Sequence, residues 1–174
     1  LARAVRLGRV ALPRGPFQEQ IARRAPGLAR RPQAIPGGIL GFDFHLGGPT
    51  PQLIEINTNP GGLLVSLELA RAATAGCDCL AEPLSVLAAA GVEISQLGQR
   101  ISDSFLAEWT TARGDLPLRT IAIVDDAPQS QYLYPEFLLY QRLLERAGWR
   151  VVIADATSLE LRDDAVFLAE ERID

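Results

Sequence analysis

The sequence contains no lysine and no methionine, one histidine and two cysteines. Without lysine every basic side chain is arginine, so no lysine of this chain can grip a phosphate. Cys77 and Cys79 are too few for a disulfide framework, which suits a reducing cytoplasm. Acidic side chains outnumber basic ones, giving a formal charge of −4 and a pI near 5.1, which argues against a nucleic-acid-binding surface. No apolar run approaches the roughly 20 residues that span a bilayer. Arginines interrupt Leu1–Ala11, so no signal-peptide core is found there. What remains is an ordinary globular composition, 48% hydrophobic and 22% charged. At 174 residues it suffices for one domain with a real core or for two small lobes.

Periodicity divides the chain into three parts. Residues 1–37 are rich in arginine and proline and read as a connector, with one short helix near Gln18–Arg24. Residues 38–115 hold two alternating runs, GILGFDFHL and QLIEIN, joined by the turn sequence GGPTP, then a helix from Leu63 to about Ala75. Further helices are expected over 81–90 and 95–112, the latter with Leu97, Ile101, Phe105 and Trp109 on one face. Residues 116–174 begin with a buried-type strand, Arg119–Asp125. A helix follows from Tyr134-Pro135-Glu136 to Gly148, then a strand over Trp149–Asp155, so the order is βαβ and the sheet parallel. A hairpin turning at Asp163-Asp164 is expected next, with no capping element at the end of the chain. The fold class is α/β: a hairpin-and-helix region followed by a Rossmann-like segment.

Strand parity singles out one cluster. Phe42, Phe44 and Leu46 share one face of the first strand, and Gly41, Asp43 and His45 the other. In the second strand Ile54 and Ile56 oppose Leu53, Glu55 and Asn57. If Leu46 pairs with Gln52, Asp43 falls opposite Glu55 and Gly41 opposite Asn57. Two opposed carboxylates repel, and a hard divalent cation between them would relieve the repulsion. Carboxylates and an amide oxygen are ligands that suit Mg2+, with water and substrate phosphates completing its shell. The following Asn59-Pro60-Gly61-Gly62 run would bring backbone close to whatever the metal holds, making Asn59, Gly61 and Gly62 candidate binding residues.

Asp43, Glu55-Ile56-Asn57 and Asn59-Pro60-Gly61 together resemble the metal-binding aspartate and Glu-x-Asn element of the ATP-grasp ligases. The early position of this element, ahead of a βαβ segment, resembles the circularly permuted members of the glutathionylspermidine synthetase type. The resemblance covers roughly residues 38–155. It implies that Asp43, Glu55 and Asn57 hold magnesium against ATP while a substrate carboxylate becomes an acylphosphate that an amine captures. It also implies an enzyme with ATP and small carboxylate and amine or peptide-like substrates as its partners. Two features depart from the pattern: Gly41 stands where those synthetases have an arginine, and the nucleotide-gripping lysines are absent. With no initiator methionine, the chain is expected to be a piece of a larger enzyme.

Two other readings compete. A non-catalytic ATP-grasp-like binding protein would fit Gly41. A receiver-type signalling domain over 119–174 would use Asp125 and Asp126 as its acidic pair. His45 reads as a structural hydrogen-bonder, Cys77 and Cys79 as a helix-end coincidence, and Trp109 and Trp149 as core aromatics. Arg23-Arg24 and Arg30-Arg31 read as solvated surface.

Overall fold

A computed structural model describes residues 15–30, 37, 39–76, 85, 88, 89, 91 and 93–174. The chain is a mixed α/β protein whose contacts divide it into two units, Leu1–Pro60 and Gly61–Asp174. Cys77 and Cys79 lie outside the described residues. Of the helix expected over 81–90, only 85, 88 and 89 are described, all three helical. No helix among the described residues is long and apolar enough to cross a membrane.

The first unit holds helix α1 (Gly15–Arg24) and an antiparallel hairpin, β1 (Gly41–His45) with β2 (Gln52–Asn57). An isolated two-stranded hairpin is marginal in water. Correspondingly, of the apolar face expected to pack on a core, Leu46 and Ile54 are exposed and Phe42, Phe44 and Ile56 are only half-buried.

The second unit contains α2 (Leu63–Gly76), α3 (Ile94–Arg113), β3 (Thr120–Asp125), α4 (Tyr134–Arg146) and β4 (Arg150–Asp155). It ends in a three-stranded meander: β5 (Leu159–Arg162), β6 (Ala165–Leu168) and β7 (Glu171–Ile173). Strands β3 and β4 pair in parallel from Thr120↔Arg150 to Asp125↔Asp155, as the apolar run and the intervening helix require. Helix α4 packs on β4 and on α2. Its apolar stripe buries Leu144, only 1% exposed, and β4 buries Val151 and Ala154. Burial of this kind contributes roughly 1.5–3 kcal/mol per large aliphatic side chain. Gly148, at φ 99°, lets the chain reverse after α4 and enter β4.

The helices expected to group with the hairpin pack instead against α4, so they belong with the βαβ segment. Glu136 is one reason. It is 3% exposed, and its carboxylate accepts hydrogen bonds from the N–H groups of Gly62 and Leu64 (2.8 Å to the latter). These amides open α2 and have no partner within that helix, so a carboxylate from α4 caps it.

The expected hairpin at Asp163-Asp164 is present, and both residues have positive φ (48° and 60°), as a two-residue turn of this hand requires. A third strand, β7, extends it. The chain end is also tied down, contrary to expectation. Asp174 accepts from the N–H groups of Arg119 (2.7 Å) and Thr120 (3.0 Å), and its own N–H donates to Thr120 O (3.1 Å). The start of β3 is thereby clasped.

Candidate functional site

The hairpin brings the sequence-predicted trio together. Asp43 is the Cα partner of Glu55, and Gly41 that of Asn57. The Asn57 amide Nδ2 donates to Asp43 Oδ2 and to Glu55 Oε1, 3.2 Å in each case. Both carboxylates are exposed and Asn57 is half-buried. One amide NH2 thus bridges two anions that would otherwise repel across the strand pair.

The pairing that produces this arrangement differs from the expected one. His45, not Leu46, pairs with Gln52, and Phe44 pairs with Leu53. The loop is therefore Leu46–Pro51, one residue longer, and Ile54 is left as the extra residue of a β-bulge between the Phe44 and Asp43 levels. The bulge restores the register at the carboxylates, so the residues meet as parity demands although the turn does not.

Gly41 has a steric cause. A Cβ there would lie 3.0 Å from Pro60 Cβ and 3.3 Å from Asn57 Cβ, so the Asn59-Pro60 turn leaves no room for a side chain without movement. The single histidine, His45, is exposed and holds its ring over Gly47, where an added Cβ would be 2.8 Å from Nε2.

The loop glycines have other engagements than the expected phosphate. The N–H of Gly62 is held by Glu136, and Gly62 sits at φ 85°, a conformation that favours glycine. At Gly61 a Cβ would collide with Leu133 Cδ1. Asn59 is exposed. Packing and capping therefore account for both glycines, and an anion could use the Gly62 amide only by displacing Glu136. The early glutamate of α4 marked a helix start in the sequence, but its true partner, the α2 N-terminus, carries no local signal. Tyr140, one turn further along α4, has its phenol pushed up to about 12 by burial and then by the Glu136 charge.

The second acidic group lies at the C-terminal ends of β3 and β4, where Asp125 opposes Asp155. Asp155 accepts from Thr157 Oγ1 (2.6 Å), Thr157 N (2.8 Å) and Ala127 N (2.8 Å), and these bonds, in that order, hold its carboxyl below the usual range. Asp125 accepts from the N–H of Asp126 (2.8 Å). These carboxylates fix the turn around Ala127, which has φ 42°. After β4 the chain enters the antiparallel meander, where a receiver would continue with a helix and another parallel strand.

Among the described residues no three His, Cys, Asp or Glu side chains converge as a metal set, so the hairpin trio stands as two carboxylates and one amide. That donor set fits a hard cation that keeps most of its shell as water and phosphate oxygen. The amide of Asn57 would have to turn over, presenting Oδ1 in place of Nδ2, a rotation about one side-chain bond. Comparison with protein-family models, with curated proteins and with solved structures finds no match to this chain.

Proposed function

We propose that the β1–β2 hairpin is the magnesium-binding corner of an ATP-dependent carboxylate–amine ligase of the ATP-grasp kind, working in the cytoplasm. The observation that carries this reading is the bridging of Asp43 and Glu55, opposed across an antiparallel pair, by Asn57. An exposed edge hairpin has no structural need for two facing carboxylates, and the arrangement is unfavourable without a partner for their charge. Asp43 and Glu55 would supply carboxylate oxygens and Asn57 its amide oxygen. Magnesium held there would neutralise charge on ATP phosphate oxygens as a substrate carboxylate is activated for attack by an amine. The work of the chain itself is positional: the strand pairing holds the three donors on one face, and the bulge keeps them in register whatever the loop does. Asn59, exposed and two residues beyond Asn57, would be the further nucleotide contact.

Magnesium titration tests the assignment without turnover. The full-length protein should bind Mg2+ or Mn2+ by calorimetry or manganese relaxation, and Asp43→Asn or Glu55→Gln should weaken binding about tenfold or more while the circular-dichroism spectrum stays unchanged. Equal affinity in both variants would refute the metal site.

Gly41 favours a second reading. Because Pro60 crowds this position, the arginine of the related synthetases has no counterpart here. The chain would then belong to a protein that binds Mg-ATP without turning it over. Release of ADP with any carboxylate and amine pair would exclude that reading.

A further inference from the structure

Helices α2, α3 and α4 of the second unit surround a cleft of about 190 Å³. Its walls are leucines: Leu64 and Leu67 from α2, Leu139 and Leu143 from α4. Leu64 and Leu67 are buried (4% and 6% exposed), so the interior is fixed by the core and not by surface side chains. Gly98, in the interior of the 20-residue helix α3, also lines the cleft, and a Cβ there would sit 3.1 Å from Leu143 Cδ1. A glycine in mid-helix costs about 0.5–1 kcal/mol relative to alanine, and here its effect is to keep that wall open.

The rim is charged, with two arginines and one glutamate. Arg142 and Arg146 lie one helical turn apart on α4 and both line the cleft. Neither has a hydrogen-bond or ion-pair partner among the described residues. The carboxylate on the same rim, Glu68, is already engaged by Arg71 at 2.7 Å. An apolar interior under two uncompensated guanidinium groups is complementary to a molecule that is oily at one end and anionic at the other.

We propose that this cleft binds a short-chain organic carboxylate, its hydrocarbon among the four leucines and its head on Arg142 and Arg146. The volume is below the 300–1,000 Å³ typical of drug-sized ligands, so the tail is short. Guanidinium forks pair with carboxylates in two parallel hydrogen bonds, which sets the orientation. The residues lining the cleft all belong to the second unit, and its occupation does not depend on the ligase reading.

Hexanoate is a suitable probe, followed by calorimetry or by amide shifts at Gly98, Arg142 and Arg146 of the whole chain. Hexanol and hexylammonium serve as controls of equal tail length. Hexanoate should bind several-fold more tightly than either, and less tightly as salt is added. Arg142→Gln with Arg146→Gln, both surface changes, should weaken hexanoate about fivefold, the scale of exposed ion pairs, and leave hexanol unchanged. Gly98→Ala should weaken both by narrowing the cleft. No binding of hexanoate, equal binding of the three probes, or an unchanged affinity in the double arginine variant would each overturn the proposal.

Discussion

In the Gly61–Asp174 unit four carboxylates hold the structure together: Glu136 caps α2, Asp155 fixes the turn at Ala127, Glu171 pairs with Arg150, and Asp174 clasps the start of β3. In the β1–β2 hairpin, by contrast, Asp43 and Glu55 face each other with only the Asn57 amide between them. Glu136, Asp155 and Asp174 each accept from backbone N–H groups, and Glu171 pairs with an opposite charge at the surface. The hairpin pair satisfies nothing of the backbone and adds repulsion. Carboxylates that stabilise a fold are accounted for by their partners; carboxylates that do not are where a ligand is to be sought.

Removal of each kind should separate them by magnitude and by sign. Glu136→Ala is expected to have the largest effect, about 3 kcal/mol of lost stability by urea denaturation, because two N–H groups of α2 lose a buried acceptor. A change below about 1 kcal/mol would mean that water replaces the carboxylate and that the cap is dispensable. Asp155 should act more weakly and only through pH. Its carboxyl titrates lower in the folded than in the unfolded chain, so its contribution is present above pH 3.8, its ordinary value, and is lost as the pH falls through the folded value. The wild type should therefore lose stability faster than Asp155→Asn on acidification below about pH 3.8. Parallel curves would remove Asp155 from the first group. The smallest effect, and one of opposite sign, belongs to the hairpin. In metal-free buffer Asp43→Asn should stabilise the protein by a few tenths of a kcal/mol, since it removes one of two facing like charges. A loss of 1 kcal/mol instead would show that Asp43 is structural.

Parity made the juxtaposition of Asp43, Glu55 and Asn57 legible in the sequence, because side chains alternate with period two and the two runs carry their polar residues in phase. The β3–α4–β4 segment was legible for a similar reason: short apolar runs flank a helix opened by proline and closed by glycine. The bulge was not legible, since nothing in Gln52-Leu53-Ile54 marks an extra residue. Glu136 stands in the first turn of α4 as its position implied, but its capping role was not legible because its partner Gly62 is 74 positions away, and local pattern carries no information about such pairs. Strand β7 has three residues, too few to show a period. The roles expected for Gly61 and Gly62 came from the motif, whereas in the structure those glycines are shaped by Leu133 and Glu136, a packing context that a motif does not contain.

The bulge at Ile54 separates the length of the Leu46–Pro51 loop from the alignment of Asp43 with Glu55. It works as slack in a tether. Residues could be added to or taken from that loop, or a foreign segment spliced into it, and the strain would be absorbed at an exposed isoleucine before it reached the two carboxylates. The loop is thus a place where the protein can be relabelled, lengthened or fused with its acidic pair left in step.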